Sequence, residues 1–314
     1  MTWRYGTWTV EHALPVGAAG LAPEGTSVRS GDVIASGGVI ARVHLVRGAR
    51  HLGVDAADLD RVMRVRPGAE VRKGTVLART GRRFARSVTS PIDGRLVHIT
   101  ADGDMCVASV PAEWRVRSVV DGVVTRSDAA AVTVDGDCWG LSGLAAYGPD
   151  AIGDLALAVD APDEALSPSR IDVQLSGRIL VGGARAAAEA ITRAHACGVS
   201  GVVAGAAPAG GLRVVYGDGV GARGAPTGED RPTVLCLAGF GSAPLPREVF
   251  DPLVALAGHR AAIHTGSAML FVMAPHAATR VATGVPALAL AADHASVRLA
   301  LPGEAGALPF DAER

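Results

Sequence analysis

Cysteine, histidine, serine and carboxylate side chains are the groups that could carry nucleophilic or metal chemistry, and in this 314-residue chain their spacings do not assemble it. Cys106, Cys138, Cys197 and Cys236 stand far apart with no C-x-x-C step. Neither a zinc ribbon nor an iron–sulfur cluster can be written from them, and a disulfide framework is not expected. His195 and Cys197 lie two residues apart in a helical stretch and point to different faces, which argues against a nucleophile–base pair. His259 and His264 flank a short apolar strand and face opposite sides of it. Ser242 follows Gly241 outside a G-x-S-x-G elbow, and Asp293-His294-Ala295-Ser296 runs triad residue types together in an order that cannot fold into a triad. Neither a catalytic residue nor a metal site is expected.

Two other groups of residues could bind without reacting. Gly182-Gly183, Gly205 and Gly239-Phe240-Gly241 follow strand-like runs in the second half, where an α/β sheet leaves room for a ligand and helix N-termini present free N–H groups. Arg185 could add positive charge for a phosphate or carboxylate. These residues are the candidate small-anion site; the competing reading is that the glycines serve tight strand-to-helix turns. They match neither G-x-G-x-x-G nor a P-loop.

The second group is basic. From Arg42 to Arg86 there are twelve basic residues against four acidic ones, although the whole chain carries a net charge of only −1. Arg79, Arg82, Arg83 and Arg86 cluster about one expected hairpin and are the candidate partner-binding residues. A solvated basic face, an acidic protein partner or larger complex, and nucleic acid all fit such a patch. Phe84 is the sole aromatic inside it, which disfavours base stacking and hence nucleic acid.

The elements that must position these residues divide the chain in three. At 49% hydrophobic and 19% charged it has the composition of a globular protein, and 40 glycines and 18 prolines predict many turns. Residues 1–168 read as an all-β domain, because short apolar runs alternate with Asp-Gly steps at 93–94, 121–122 and 135–136. Residues 169–266 read as a small α/β domain with a mostly parallel sheet. Its two strand–helix–strand units are Arg178–Val181, Ala184–Cys197 and Val199–Ala204, then Thr233–Leu237, Pro246–Ala257 and Arg260–His264. Between them Gly205–Arg231 reads as a long glycine-rich loop. Residues 267–314 read either as an SH3-like β unit or as strands closing the α/β sheet. The longest apolar runs fall short of the roughly 20 residues that span a bilayer, and no basic-then-apolar leader opens the chain. No membrane insertion and a cytoplasmic location are expected.

A repeat lies inside the first region. Gly25, Val28, Gly31, Val33, Ile34 and Ala35 recur as Gly68, Val71, Gly74, Val76, Leu77 and Ala78, and the second copy runs on into Ser90-Pro91-Ile92-Asp93-Gly94-Arg95-Leu96-Val97. This pattern resembles the biotinyl/lipoyl type of barrel-sandwich hybrid, found in carrier domains and at the start of NADH-quinone- and Rnf-type redox subunits, over roughly residues 20–110. The resemblance implies a fold more than an activity. In carrier domains the modified lysine stands eight residues before the proline of the turn, which here is Arg83. A guanidinium is a poor acyl acceptor, so no covalent biotin or lipoate is expected. Lys73, the chain's one lysine, sits inside the turn motif and reads as a solvated turn residue. The overall expectation is an α+β multidomain, non-catalytic binding or scaffold protein without cofactor. The alternative is a nucleotide- or anion-binding enzyme or redox-complex subunit that uses the glycine turns of the α/β domain.

Overall fold

The computed structural model describes residues 2–15, 17–81, 85–110, 112–217 and 231–279. Strands dominate, helices are few, and the main sheet is mixed. The first part holds β1 (Trp3–Ala13), β2 (Ala18–Leu21), β3 (Ser27–Val28), β4 (Val33–Gly38) and β5 (Arg42–Val46), then two short helices, α1 (Gly48–Leu52) and α2 (Leu59–Val62). There follow β6 (Glu70–Val71), β7 (Val76–Arg79), β8 (Ser87–Thr89), β9 (Gly94–Ile99), β10 (Met105–Ser109), β11 (Glu113–Arg117), β12 (Gly122–Ser127) and β13 (Ala131–Ser142). The second part holds β14 (Ala145–Tyr147), β15 (Ala151–Leu157), β16 (Ile179–Val181), α3 (Ala188–Ala196), β17 (Gly201–Ala207), α4 (Ala209–Tyr216), β18 (Thr233–Phe240), α5 (Arg247–Ala255), β19 (Arg260–His264) and β20 (Met269–Met273).

One large sheet runs β14-β18-β17-β16-β15-β19-β20-β13-β12-β3, with β1 along the other edge of β13. It takes strands from both sides of residue 168. In its second half β16, β17 and β18 are buried along their length apart from Ala238 and Phe240, as strands covered on both faces must be. Successive residues serve opposite layers. Ile179, Val181, Val203 and Leu235 pack with Val249, Phe250 and Leu253 of α5, while Leu180, Val202, Val234 and Cys236 pack with Ile191 of α3 and Leu212 of α4.

Two expectations for this region need correction. The first strand–helix–strand unit is parallel, but β19 lies antiparallel to β15, so the second unit does not continue the parallel set. After α5 the chain passes behind three strands and adds β19 on the far side, where β20 and β13 extend the sheet. Gly205–Arg231 is also not one loop, because 209–216 forms α4 on the face of α3. Met269–Met273 is a sheet strand. The remainder of the 267–314 unit beyond Thr279 lies outside the described residues, as do Arg82, Arg83 and Phe84.

The repeat seen in the sequence is half of a larger one. Gly25, Gly31, Gly68 and Gly74 all adopt positive φ, between 83° and 102°, as a glycine-spaced turn requires. Each copy then docks onto a Ser-x-x-Asp-Gly turn, Ser118–Gly122 for the first and Ser90–Gly94 for the second. The matches extend to single hydrogen bonds. Gly31 N–H donates to Ser118 O and Gly74 N–H to Ser90 O, each at 2.8 Å, and Gly25 N–H and Gly68 N–H donate to Val124 O and Leu96 O. Ser118 Oγ donates to Val120 O and Ser90 Oγ to Ile92 O. Val28 pairs with Gly122 as Val71 pairs with Gly94. A Cβ on Gly122 would stand 2.1 Å from Asp135 O, and one on Gly94 2.0 Å from Ala108 O, so both turns need glycine for the same close approach.

The two copies are nested. In the inner copy β7 and β8 form a hairpin, with Val76 opposite Thr89 and Ala78 opposite Val88. In the outer copy the equivalent pair is β4 and β11, with Val33 opposite Arg117 and Ala35 opposite Val116 and the same register shift between the two pairs. Where the inner pair ends at Arg79 and Ser87, the outer one carries residues 39–112, which include the whole inner copy. The ribbon does not stop there: Val39 N–H donates to Ala112 O and Ala41 N–H to Ser109 O, leading into β5 paired with β10. The inner copy has its own core of Leu77, Val88, Leu96, Met105 and Val107, closed by Leu52 and Leu59 of the short helices. The outer copy's core continues into the large sheet through Ala262 and Phe271.

Candidate functional site

The glycine turns come together at the carboxyl ends of the parallel strands. Gly205 N–H donates to Gly183 O at 2.7 Å, Arg185 bridges to Ala206, and Ala206 stands opposite Gly239 in the β17–β18 register. What lies over these ends is main chain. A Cβ on Gly183 would meet Glu164 O at 2.2 Å, and one on Gly205 would meet Ala243 O at 1.9 Å. Ala184 accepts from Ala243 N–H and donates to Glu164 O, and Leu245 N–H donates to Pro162 O. Gly183, with φ of 61°, turns the chain, Gly183 and Arg185 bridge to Ala165 and Arg185 also to Ala206, and α3 begins only at Ala188. Gly182 is packed by Leu166 and Val202. Arg185 is exposed, Phe240 is 58% exposed, and Gly241, with φ of 96°, donates its N–H to Ala207 O. The site residues proposed from sequence are thus neighbours, but close main-chain packing requires glycine at 183 and 205, and Gly239 and Gly241 hold positive φ of 118° and 96°.

The thiols sit away from reactive surroundings. Burial pushes the Cys236 thiol up to about 12 and raises that of Cys138, and the Cys197 Sγ lies 3.8 Å from Ile171 O. Cys106, half-buried on β10, is the most accessible of the four. Among the described residues no three His, Cys, Asp or Glu side chains gather as a metal site, and no helix is long and apolar enough to cross a membrane.

One buried polar cluster had no signal in the sequence. His12 on β1 is 1% exposed and its ring lies 5.6 Å from that of His264 at the end of β19. His12 Nε2 accepts the Val119 N–H at 3.1 Å, so the unprotonated ring ties β1 to the outer copy's turn, while Nδ1 has no hydrogen-bond partner among the described residues. Burial, reinforced by His264, lowers the His12 pKa to about 4. His264 Nδ1 shares a 2.7 Å hydrogen bond with Ser267 Oγ. The 252-residue separation of the two histidines hides this pairing from any local pattern.

The basic segment maps onto the inner copy. Arg79 ends β7 and Arg86 precedes β8, both exposed at the base of the hairpin, and Thr80 N–H donates to Arg86 O. Arg86 also approaches α1, since a Cβ on Gly53 would stand 3.1 Å from its Nη1. Arg47, at the N-cap of the same helix, and Arg50, within it, are exposed. Lys73 donates its main-chain N–H to Asp93 Oδ1 at 2.7 Å, placing it in the inner turn. A hollow of about 730 Å³ separates the inner copy from the outer, lined by Glu70, Arg72, Asp93, Arg95 and Glu113. Its carboxylates outnumber its guanidiniums, so it has no net pull on an anion.

The residues that sequence reasoning missed here are on β5. This strand ends its sheet, whose order is β5-β10-β9-β6, and Val43 and Leu45 are 50% and 58% exposed. Alternation of Arg42, Val43, His44 and Leu45 was the available signal. Compared with family models, curated proteins and solved structures, the chain matches none.

Proposed function

We propose that this chain is a non-catalytic binding or scaffold protein, working inside the cytoplasm in a larger assembly and using its inner copy to contact an acidic protein partner. The observation that carries the reading is the nesting. A self-contained unit with its own core sits where the outer hairpin would turn, joined by one antiparallel ribbon, and it bears the segment with twelve basic residues against four acidic. A unit displayed in this way presents binding surface without altering the sheet that carries it. The shared turn geometry of the two copies supports the resemblance to barrel-sandwich hybrids, and with arginine at the carrier position the inner copy is read as a carrier-like shape that bears no cofactor.

The test is native mass spectrometry of the protein isolated from its own host at low salt. A complex heavier than the chain that dissociates as salt rises is the expected result, because exposed charge pairs are screened. Recovery as a free chain, or with a tightly held nucleotide or flavin and no protein partner, rejects the reading in favour of the glycine-turn alternative.

A further inference from the structure

The outer edge of β5 is open among the described residues, and its surroundings say what would fill it. Along the ribbon, β4 has β11 on one side and β2 on the other, while β5 has β10 on the first side and no described strand on the second. The edge that accepts β2 alongside β4 therefore continues, unpaired, for the five residues of β5. An unpaired edge presents free N–H and C=O groups that an extended segment can complete.

The two faces of that edge differ. Val43 and Leu45 share one face, on which Val43 stands beside Ala108 and Leu45 beside Cys106. Arg42 and His44 share the other and line a hollow of about 370 Å³ with Ile92 and Ser109. Exposed Arg47 and Arg50 continue the positive charge past the strand, and neither β5 nor its partner β10 carries an acidic residue. A second copy docked edge to edge would bring Arg42 and Arg47 against their own kind. A strand that alternates acidic and apolar residues would instead set its carboxylates beside Arg42 and His44 and its apolar side chains beside Val43 and Leu45.

We infer that β5 is the docking edge for an extended protein segment of alternating acidic and apolar residues, which adds a strand to the inner copy. This rests on the scaffold reading and names its contact. The probe is the fluorescent peptide GSEVEIEVEG, titrated by anisotropy against the full chain at low and moderate salt. Beside it are run the lysine counterpart GSKVKIKVKG and the acidic peptide N-methylated at alternate residues. Saturable binding of the acidic peptide is expected, at least tenfold weaker for either control and for the Leu45→Glu variant, whose exposed position leaves folding unchanged as checked by circular dichroism. Absence of binding, equal binding of the N-methylated peptide, or an unchanged Leu45→Glu affinity overturns the inference. So does a dimer in sedimentation that Leu45→Glu dissolves, because the occupant would then be a second copy. If Leu45→Glu has no effect but Arg79→Ser with Arg86→Ser abolishes binding, the β5 edge fails while the scaffold reading stands.

Discussion

Asp93 and Asp121 perform the same task 28 positions apart: each carboxylate accepts a main-chain N–H at 2.7 Å, from Lys73 in the inner copy and from Ser30 in the outer. In both copies this bond ties the glycine-spaced turn to the Asp-Gly step of the returning hairpin. The hydrogen bonds and pairings around it repeat as well, so the two turns are one construction used twice.

Replacing either aspartate by alanine leaves an N–H without its charge-assisted acceptor. Asp93→Ala and Asp121→Ala are each expected to cost about 1 kcal/mol, at the lower end for partly exposed bonds. Because the copies have separate cores, the double variant should show the sum within about 0.5 kcal/mol. Urea denaturation measures this; a strongly non-additive double variant would mean that the two copies share one packing unit.

Gly94→Ala and Gly122→Ala drive a methyl group into main-chain oxygens 2.0 and 2.1 Å away. Backbone cannot yield as a flexible side chain can, so each is expected to lose about 2 kcal/mol or more. Gly68→Ala meets open space but keeps a φ of 94°, so it should cost less, about 1 kcal/mol. Thermal melts of the three variants rank them directly, and equal shifts would refute the close-approach argument.

His12 makes stability depend on pH. Its folded pKa of about 4 lies below its ordinary value of 6.5, so the folded chain binds fewer protons than the unfolded one between those values. The stability is complete above pH 6.5, falls as pH drops towards 4 and levels off below it, with a total loss on the order of 3 kcal/mol. His12→Gln keeps an acceptor for the Val119 N–H and removes the titration. Its chemical denaturation midpoints, compared with those of the parent at pH 7 and 4.5, should show a smaller fall, and an identical fall would assign the acid sensitivity elsewhere.

Thiol labelling reads the core. With Cys138, Cys197 and Cys236 buried and Cys106 half-buried, native protein should react quickly with a disulfide reagent at one thiol, against four in denaturant. Cys106→Ser should remove the fast phase. Rapid reaction of two or more thiols in that variant would contradict the packing of β13, β18 and α3.

Much of the local structure was legible because its causes are local. The apolar runs and stop glycines located β16, α3, β17, β18, α5 and β19 to within a few residues, and the positive-φ glycines marked the turns of the repeat. The Ser118–Gly122 partner of Ser90–Gly94 has no local signature, since its copy begins 93 residues upstream at Gly25 and is interrupted by the other copy. The glycine turns at 182–183, 205 and 239–241 were identifiable as turns, while the main chain of 164 and 243 that fills the space above them was not.

Turn chemistry, strand alternation and the excess of arginine between 42 and 86 follow from the residues alone, because each depends on neighbours within a few positions. Tertiary structure decided which strands pair, and hence that β1 lies on β13, that β19 runs antiparallel, that His12 meets His264 and that β5 is left with a free edge among the described residues. Those outcomes depend on contacts across tens to hundreds of residues, where sheet register is set by burial of whole faces and carries no short-range signature.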